Sequence, residues 1–526
     1  METENSRILQ RSTLLATLLN SVVAIFFRGI TFILNAFILR KISGDVLGIV
    51  NVRLLLIFDT IIFISREAFR KSCLKKPENG DWRGTINVIW MCWPIGIFFS
   101  LVLGYIWSFH LELPKDLELH DQYHFAVILM CLSAMVELSF ESCFVISQIF
   151  LWIKFRAFVD TVALATRAFM LALIVTYKPE KTIIYFGWTH LLASVIQLLL
   201  YMLKFSYELQ KNNSSTELQP ALSSVRDLFP SSPFKNWHQE RWKLSKSFLS
   251  QGILKQLLTE GEKYLFTIFS LMTLAEQGIY DVVANLGSLA PRLVFSKVEE
   301  AAYLYFNQSV VRGENVNPQV AKKLQLYLRA MSLIGLTVLC FGFSYSHLLL
   351  HIYGGTNLSQ GLGPSLLRGH CLFVFVMALN GVSECYSFAI MTSRQVNQYN
   401  YIMSAMTVIF LVCAWIFSKV FGPVGFIMAN CCNFVMRIVH SCYVIHKHNG
   451  SEALKGLVPS MTTFICLISS GIICNLSENF IYDPNQLGKV LLHLVIGGIF
   501  FVITIVVMFF SEKDIVNSVR NREHTE

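Results

Sequence analysis

The sequence predicts an all-α integral membrane protein with about 14 transmembrane helices, in two six-helix lobes followed by a C-terminal helix pair. Of its 526 residues, 54% are apolar and only 15% are charged. This leaves too little polar surface for several soluble domains. Fourteen apolar runs are long enough to cross a bilayer. Loops rich in lysine and arginine alternate with poor ones, as the positive-inside rule requires of a multi-pass protein.

The predicted spans are taken in chain order. They cover roughly residues 14–39, 44–66, 85–108, 122–147, 157–176, 182–203, 247–272, 277–308, 324–349, 364–391, 397–418, 422–445, 456–475 and 486–510. An even count places both termini on one side of the membrane. The segments on that side carry 28 of the 43 lysines and arginines, and the opposite loops carry eight. Both termini are therefore predicted to be cytoplasmic.

Domain boundaries follow from one long polar stretch and a faint repeat. Tyr207–Lys246 is rich in Ser, Asn, Gln and Pro, which is typical of a linker. Gly48–Val52 echoes Gly278–Val282, which suggests duplicated halves, a hallmark of secondary transporters. We predict an N-lobe with spans 1–6 at 1–203, a cytoplasmic linker at 204–246, a C-lobe with spans 7–12 at 247–446, and two extra spans with a tail at 447–526.

Several function classes find no support in the sequence. The net charge of +9 lies in loops between spans, where membrane orientation explains it better than nucleic-acid binding. There is no P-loop, and His347 and His351 lack the glutamate of a zinc-binding helix. We expect no catalytic residue, no cofactor and no metal. An enzyme that works through scattered membrane residues is a less favoured alternative.

Charges inside the predicted spans indicate more than anchoring. Seven cations facing lipid would cost about 20 kcal/mol on an insertion scale, so they must face protein or water. These cations are Arg28, Arg53, Arg167, Lys255, Lys263, Arg292 and Lys297. Acidic candidates to pair with them include Asp59, Glu137, Glu141, Asp160, Glu260, Glu262, Asp281, Glu299 and Glu300.

Two interpretations of these charges stay open. They are structural ion pairs, such as Asp160 with Arg167 on one helix face, or they line a hydrated cationic cavity for an anionic headgroup. The basic residues from Arg66 to Lys76 form a dense cluster at the predicted cytoplasmic side. They either set the membrane orientation and attract anionic lipid, or they form a docking site for a phosphorylated lipid. Gly261 is expected to interrupt the seventh span at a gate or binding site. A buried salt bridge of Glu262 is the alternative.

Several motifs resemble one family. They are Arg28-x-Ile-Thr-Phe-x-Leu-Asn35, Asn51-Val-Arg53, Arg66-Glu-Ala-x-Arg70, Thr259-Glu-Gly-Glu-Lys-Tyr264 and the run from Gln277 to Glu300. Together they resemble the Requiring Fifty-Three (RFT) family of endoplasmic reticulum membrane proteins, over essentially the whole chain. Lys297 departs from the proline expected there, which makes it a candidate local partner of Glu299 or Glu300.

The resemblance implies the fold of the multidrug, oligosaccharidyl-lipid and polysaccharide exporter superfamily. It also implies transfer of the dolichyl-diphosphate heptasaccharide, Man5GlcNAc2, to the lumenal leaflet for N-glycosylation, with glycosylation-pathway proteins as further partners. The alternatives are a non-transporting accessory protein of that pathway and a drug or ion exporter, for which acidic cavity walls would be expected. The substrate-binding residues expected from the charges and the motifs are Arg28, Asn35, Arg53, Arg66, Arg70, Glu260, Glu262, Lys263, Arg292 and Glu300. Contact is expected between Arg28–Lys76 and Glu260–Glu300.

Overall fold

The structure is a computed structural model that describes residues 29, 32–74, 76–77, 82–111, 114, 117–210, 222, 224–231, 239–310 and 318–513. Within these residues every regular element is a helix, so the all-α class is confirmed. Eleven of the described helices are long and apolar enough to cross a membrane. Arg28 and most of the first predicted span lie outside the described residues. The seventh and eighth predicted spans form helices that are not among these eleven.

Contacts divide the chain into two compact units, Met1–Ser270 and Leu271–Glu526. This boundary falls later than the predicted lobe boundary at 247. The helix Gln239–Ile268, which the sequence grouped with the C-lobe, packs along the helix Leu55–Ser72 of the first unit.

The described part of the first unit contains seven helices after the helical segment 32–39. Its tightest packing joins the third helix to the sixth, the first to the seventh and the fifth to the sixth. The helices are α1 Gly44–Ser72, α2 Trp82–Phe109, α3 Leu117–Ser139, α4 Glu141–Ile149, α5 Ile153–Tyr177, α6 Thr182–Gln210 and α7 Gln239–Ile268.

Two interruptions shape these helices. Ser43 caps the start of α1 by accepting a hydrogen bond from the Val46 N–H, and α1 then widens into a π-helical stretch at Gly48–Leu54. α3 gives way to α4 at Phe140. By contrast, α7 runs unbroken through Gly261, so the predicted interruption there is wrong. A glycine inside a helix costs only about 1 kcal/mol, which neighbouring packing can offset.

Part of the predicted linker is anchored to the first unit. α6 extends to Gln210 and α7 begins at Gln239, so the helices occupy both ends of the predicted 204–246 segment. In its middle, the Trp90 Nε1–H donates to the Leu228 carbonyl at 2.8 Å. The Asn87 side chain exchanges two hydrogen bonds with the backbone of Ser231, at 2.9 and 3.0 Å. The stretch 224–231 is therefore bound against α2 and is not a simple tether.

The described part of the second unit contains nine further helices of at least nine residues, and the short helix Thr356–Ser359, around a core that includes Phe295, Leu324, Leu328, Val382 and Tyr386. Capping boxes begin two of its helices, Thr273 with Glu276 and Thr392 with Gln395. The helices are α8 Leu274–Gly287, α9 Ser296–Ser309, α10 Pro318–Ser344, α11 Ser346–Gly354, α12 Leu362–Ile390, α13 Ser393–Phe421, α14 Val424–Asn449, α15 Met461–Phe480 and α16 Leu487–Ser511. A π-helical turn at Pro291–Phe295 joins α8 to α9.

The final helix pair packs against the rest of the second unit. α15 contacts both α16 and α10. The Tyr345 hydroxyl donates to the His493 carbonyl at 2.6 Å, and the two rings stack at 4.2 Å. Arg368 and Glu478 form an ion pair at 2.8 Å. The final helix pair is thus tied by polar contacts to Tyr345, between α10 and α11, and to α12.

Candidate functional site

A two-rung ion ladder joins α1 to α3 and α4 in the first unit. Arg66 and Arg70 lie one turn apart on α1, and Glu137 and Glu141 have the same spacing across the α3–α4 junction, so both pairs share a face. Arg66 Nη1 donates to Glu137 Oε1 at 2.5 Å. Arg70 binds Glu141 through two hydrogen bonds, from Nε and, at 2.9 Å, from Nη2.

Burial differs across the ladder. The Glu137 and Glu141 side chains are 11% and 1% exposed, whereas those of Arg66 and Arg70 are 24% and 19% exposed. The carboxylates therefore lie behind the guanidinium groups, away from solvent. A guanidinium has five N–H donors, and these rungs use one from Arg66 and two from Arg70.

Arg167 extends the ladder from α5. Its Nη2 lies 3.9 Å from Glu137 Oε2, and its side chain is 28% exposed. The sequence paired Arg167 with Asp160 because both residues lie on one face of α5. In the structure Arg167 contacts Glu137 of the neighbouring helix α3 instead. Asp160 itself is exposed.

Two arginines enclose an aromatic ring at the end of the ladder. The Arg70 guanidinium lies 3.5 Å from the centre of the Phe144 ring, and that of Arg156 lies 4.2 Å from it. Cation–π contacts of this kind restrict the guanidinium planes. The orientation of Arg70 is therefore set by Glu141 and by Phe144 together.

Charges on α7 approach the same face of α1. The Lys263 ammonium lies 3.0 Å from Glu260 Oε2, and both residues lie within electrostatic range of Asp59 on α1. Asp59 is also within range of Glu137 and Arg66. The charges of α1, α3, α5 and α7 thus form one series. Glu262 is half-buried nearby on α7.

A hydroxyl contact connects the same two helices. The Thr60 and Tyr264 hydroxyls are 2.6 Å apart, and Gln256 Nε2 donates to the Tyr264 hydroxyl at 3.3 Å. The expected contact between Arg28–Lys76 and Glu260–Glu300 is confirmed for the part of the second region that lies on α7. Its remaining part, from Leu271 onward, belongs to the second unit.

The other predicted residues of the first unit lie in different surroundings. Arg53 lies in the π-helical stretch of α1, and it is 2% exposed. Its backbone carbonyl accepts a hydrogen bond from Trp107 Nε1 at 3.0 Å. Asn35 is exposed on the helical segment 32–39. The burial of Arg53 favours a structural role for its side chain. Arg28, the other arginine predicted in these spans, lies outside the described residues.

The predicted residues of the second unit form a short exposed relay. Asn285 Nδ2 donates to Asp281 Oδ2 at 3.0 Å, and Arg292 Nη2 donates to Asn285 Oδ1 at 3.3 Å. Asn285, four residues after Asp281 and seven before Arg292, therefore bridges the two charges. Lys297 pairs with Glu300 at 3.5 Å, as its position predicts.

Sequence reasoning missed one buried network in the second unit. Glu384 on α12 accepts hydrogen bonds from Arg437 Nη2 at 2.5 Å, from Asn380 Nδ2 at 2.9 Å and from the Tyr399 hydroxyl at 2.9 Å. The sequence counted Arg437 among the cytoplasmic cations although the predicted span 422–445 contains it, and α14, which extends to Asn449, carries it within a helix. A carboxylate at Glu384 within a 28-residue apolar run was the signal that could have revealed the pair.

No cluster of three or more metal-ligating side chains occurs among the described residues. The geometry instead provides guanidinium groups that are held in place by buried carboxylates and are partly exposed. Such groups bind oxyanions through paired hydrogen bonds.

The fold is similar to that of a solved lipid transporter. The structure of "Lipid II flippase MurJ, inward closed conformation" matches with a TM-score of 0.62 and 12% identity, over 95% of this chain and all of that one. The molecule is therefore a multi-pass membrane protein with a flippase-like helical fold.

Sequence comparison then identifies the family. The profile of the Rft family, described as "Rft protein", matches residues 13–522. Relatives named "Man(5)GlcNAc(2)-PP-dolichol translocation protein RFT1" are 36% identical in Xenopus tropicalis, over 98% of both chains, and 38% identical in Mus musculus, over 95% of both. The chain belongs to the Rft family, and the expected resemblance is confirmed.

Proposed function

We propose that this protein translocates a dolichyl-diphosphate heptasaccharide, Man5GlcNAc2-PP-dolichol, from the cytoplasmic to the lumenal leaflet of the endoplasmic reticulum membrane. The observation that carries the proposal is full-length membership of a family whose relatives are named for this translocation. The flippase-like fold supports the same class of activity. Translocation requires no covalent chemistry, so the protein acts as a transporter and not as an enzyme.

The diphosphate binds the guanidinium face of the first unit in this proposal. Arg66 and Arg167 flank Glu137, and Lys263 lies further along the same charge series. Because buried carboxylates already orient the arginines, little side-chain entropy is lost when a phosphate accepts the remaining N–H donors. Arg292, exposed on the second unit, is a separate candidate for headgroup binding on that unit.

The proposal includes alternating access and a membrane orientation. The site opens first to the cytoplasmic leaflet and then to the lumenal leaflet. Both termini face the cytoplasm, because 28 of the 43 lysines and arginines fall on that side in the predicted topology. The glycan remains in water, and the polyprenyl tail remains in lipid.

Reconstitution tests translocation directly. Purified protein is inserted into vesicles that carry radiolabelled Man5GlcNAc2-PP-dolichol in both leaflets, and an external mannose-binding lectin captures the outward-facing pool. We expect the captured fraction to rise from about half to nearly all of the lipid within the assay. Vesicles without protein and vesicles with heat-unfolded protein are the controls.

Equal capture in all three preparations would contradict the proposal. If cells that lack the protein nevertheless accumulate the lipid and the purified protein still binds it, the accessory role is the correct one. Transfer of an unrelated phospholipid between the leaflets at the same rate would indicate unspecific scrambling.

A further inference from the structure

Two histidines at the start of α3 bring their ring nitrogens together. His120 and His124 are four residues apart, so they lie on one face of the helix. Their Nε2 atoms are 3.4 Å apart, and their rings meet edge to face with centres 4.5 Å apart. The His120 side chain is 31% exposed and that of His124 is half-buried, so the pair lies within reach of water and small ions.

The contact between the two rings is a poor hydrogen bond. In a linear N–H···N bond the two ring radii would add to the 3.4 Å, and the ring centres would lie well beyond 4.5 Å. At most one of the two nitrogens is therefore aimed at the other.

The same separation suits two ligands of one metal ion. Two nitrogens that bind a tetrahedral Zn²⁺ with Zn–N bonds of about 2.0–2.1 Å lie about 3.4 Å apart. Rotation of one imidazole about χ2, a torsion with broad energy minima, turns both lone pairs toward one ion. The backbone of α3 therefore already sets the spacing that a zinc ion requires.

A neighbouring carboxylate favours the tautomer that binds a metal. Asp121 Oδ1 lies 3.9 Å from His120 Nδ1. A carboxylate on this side of an imidazole holds the proton on Nδ1, and so leaves the Nε2 lone pair free for a metal ion. In sequence, residues 110–121 contain four carboxylates and one lysine, an excess of negative charge that attracts cations.

The first turns of α3 are anchored between the two histidines. The buried Tyr123 donates its hydroxyl to the Trp107 carbonyl of α2 at 3.3 Å. Gln122 Nε2 donates to the Glu180 carbonyl at 2.9 Å. Because these bonds hold the backbone that carries the pair, little conformational freedom is lost when an ion binds.

A second pair of histidines with the same spacing lacks this geometry. His347 and His351 lie on α11, but His351 Nδ1 is 3.3 Å from Ser359 Oγ. His347 Nδ1 is buried without a hydrogen-bond partner among the described residues. Neither pair has the glutamate of a zinc protease helix, which is a general base and not a metal ligand. The approach of the two Nε2 atoms is therefore what distinguishes His120 and His124.

We propose that His120 and His124 bind one Zn²⁺ ion through their Nε2 atoms at the start of α3. Imidazole nitrogens are typical ligands of zinc. No third His, Cys, Asp or Glu side chain of the described residues completes the set, and water fills the remaining positions in this proposal. The site does not depend on the proposed translocation activity.

Zinc binding by the full-length protein in lipid nanodiscs of phosphatidylcholine tests the site. Thiols are first blocked with N-ethylmaleimide, because the chain has 13 cysteines. Bound Zn²⁺ is then measured by equilibrium dialysis and elemental mass spectrometry over a series of ZnCl₂ concentrations. We expect one ion per chain whose affinity falls at least tenfold in His120→Ala and in His124→Ala.

His110→Ala is the matched control. His110 belongs to the same acidic segment, is exposed at the end of α2 and has its ring 5.3 Å from that of Tyr105. Its removal should leave the zinc affinity unchanged. Ca²⁺, which prefers oxygen ligands, should not displace the ion at a tenfold higher concentration. X-ray absorption at the zinc edge of the unmodified sequence, loaded with one equivalent, should show two imidazole ligands even if a variant fails to fold.

Several outcomes would overturn the proposal. Unchanged affinity in both histidine variants would assign the contact to a hydrogen bond between the rings. An equal loss in His110→Ala, displacement by Ca²⁺, or a zinc shell of oxygen ligands alone would indicate screening of the acidic segment and not imidazole coordination.

Discussion

The two units both contain carboxylate–arginine contacts inside helices, yet their carboxylates have different partners. In the first unit, the arginines that contact Glu137 and Glu141 have side chains that are 19–28% exposed. In the second unit, Glu384 is bound by three side chains at once, and two of these donors, Asn380 and Tyr399, are uncharged. The Arg437 and Glu384 side chains are 21% and 11% exposed, which is close to the values for Arg66 and Glu137. The units therefore differ in how many donors occupy the carboxylate and not in the exposure of the ion pair.

This difference separates binding from stability. A guanidinium whose N–H groups are not all used can donate them to the oxygens of a phosphate. A carboxylate whose oxygens are already occupied has little left to offer a ligand, but it is expensive to disrupt. We therefore expect substitutions in the first unit to affect transport and substitutions around Glu384 to affect folding.

The largest effect on stability is expected for Glu384→Gln. The substitution removes the counter-charge of Arg437, whose side chain is 21% exposed, and weakens the hydrogen bonds from Asn380 and Tyr399, which together costs about 2–4 kcal/mol. Chemical unfolding in detergent micelles, followed by tryptophan fluorescence, measures the change. The double variant Glu384→Met with Arg437→Met should recover most of the loss, because both charges are removed. Wild-type stability of Glu384→Gln would show that the network is dispensable.

Glu141→Gln should cost less, about 1–3 kcal/mol, because it weakens the two hydrogen bonds of a single arginine, Arg70, which also packs on the Phe144 ring. The same unfolding measurement applies. Glu67→Gln is the matched control, since the pair of Glu67 with Lys71 is 27% and 45% exposed and exposed pairs contribute at most about 1 kcal/mol. If Glu141→Gln is as damaging as Glu384→Gln, the contrast between the units is wrong.

Arg167→Gln should lower transport with little loss of stability. Its contact with Glu137 is long, at 3.9 Å, so the fold loses little, but a proposed phosphate partner is removed. We expect at least a tenfold slower capture of the heptasaccharide lipid, which corresponds to about 1.4 kcal/mol. The control Lys297→Gln, in the exposed pair with Glu300, should transport normally. Normal transport by Arg167→Gln would remove this residue from the site.

The sequence was sufficient to predict the class, the family and most helix positions, because long apolar runs can satisfy their backbone only as helices in lipid. It was not sufficient to predict which charges meet. The rungs of the ladder join residues 71 positions apart, and helical spacing relates only neighbours on one helix. For that reason Arg167 was assigned to Asp160 and not to Glu137.

Helix ends and local breaks were also beyond the sequence. Arg437 was counted with the cytoplasmic cations although it lies inside the predicted span 422–445, and α14 continues beyond that span to Asn449. Gly261 was expected to break α7, but the helix instead ends at Ile268, shortly before Ser270 adopts a positive φ of 50°. Glycine permits a break without requiring one, so tertiary packing decides the outcome.

The smallest effect is expected for Tyr264→Phe, which tests how α7 is held against α1. Loss of the hydrogen bonds to Thr60 and Gln256 should cost about 0.5–1.5 kcal/mol, while the ring packing is kept. Tyr303→Phe, on an exposed tyrosine of α9, should leave the free energy of unfolding unchanged. If the contact also holds the charge series together, Tyr264→Phe combined with Arg167→Gln should slow transport more than the two single variants predict by addition. Simple additivity would show that the hydroxyl contact stabilises the helix pair without positioning the cations.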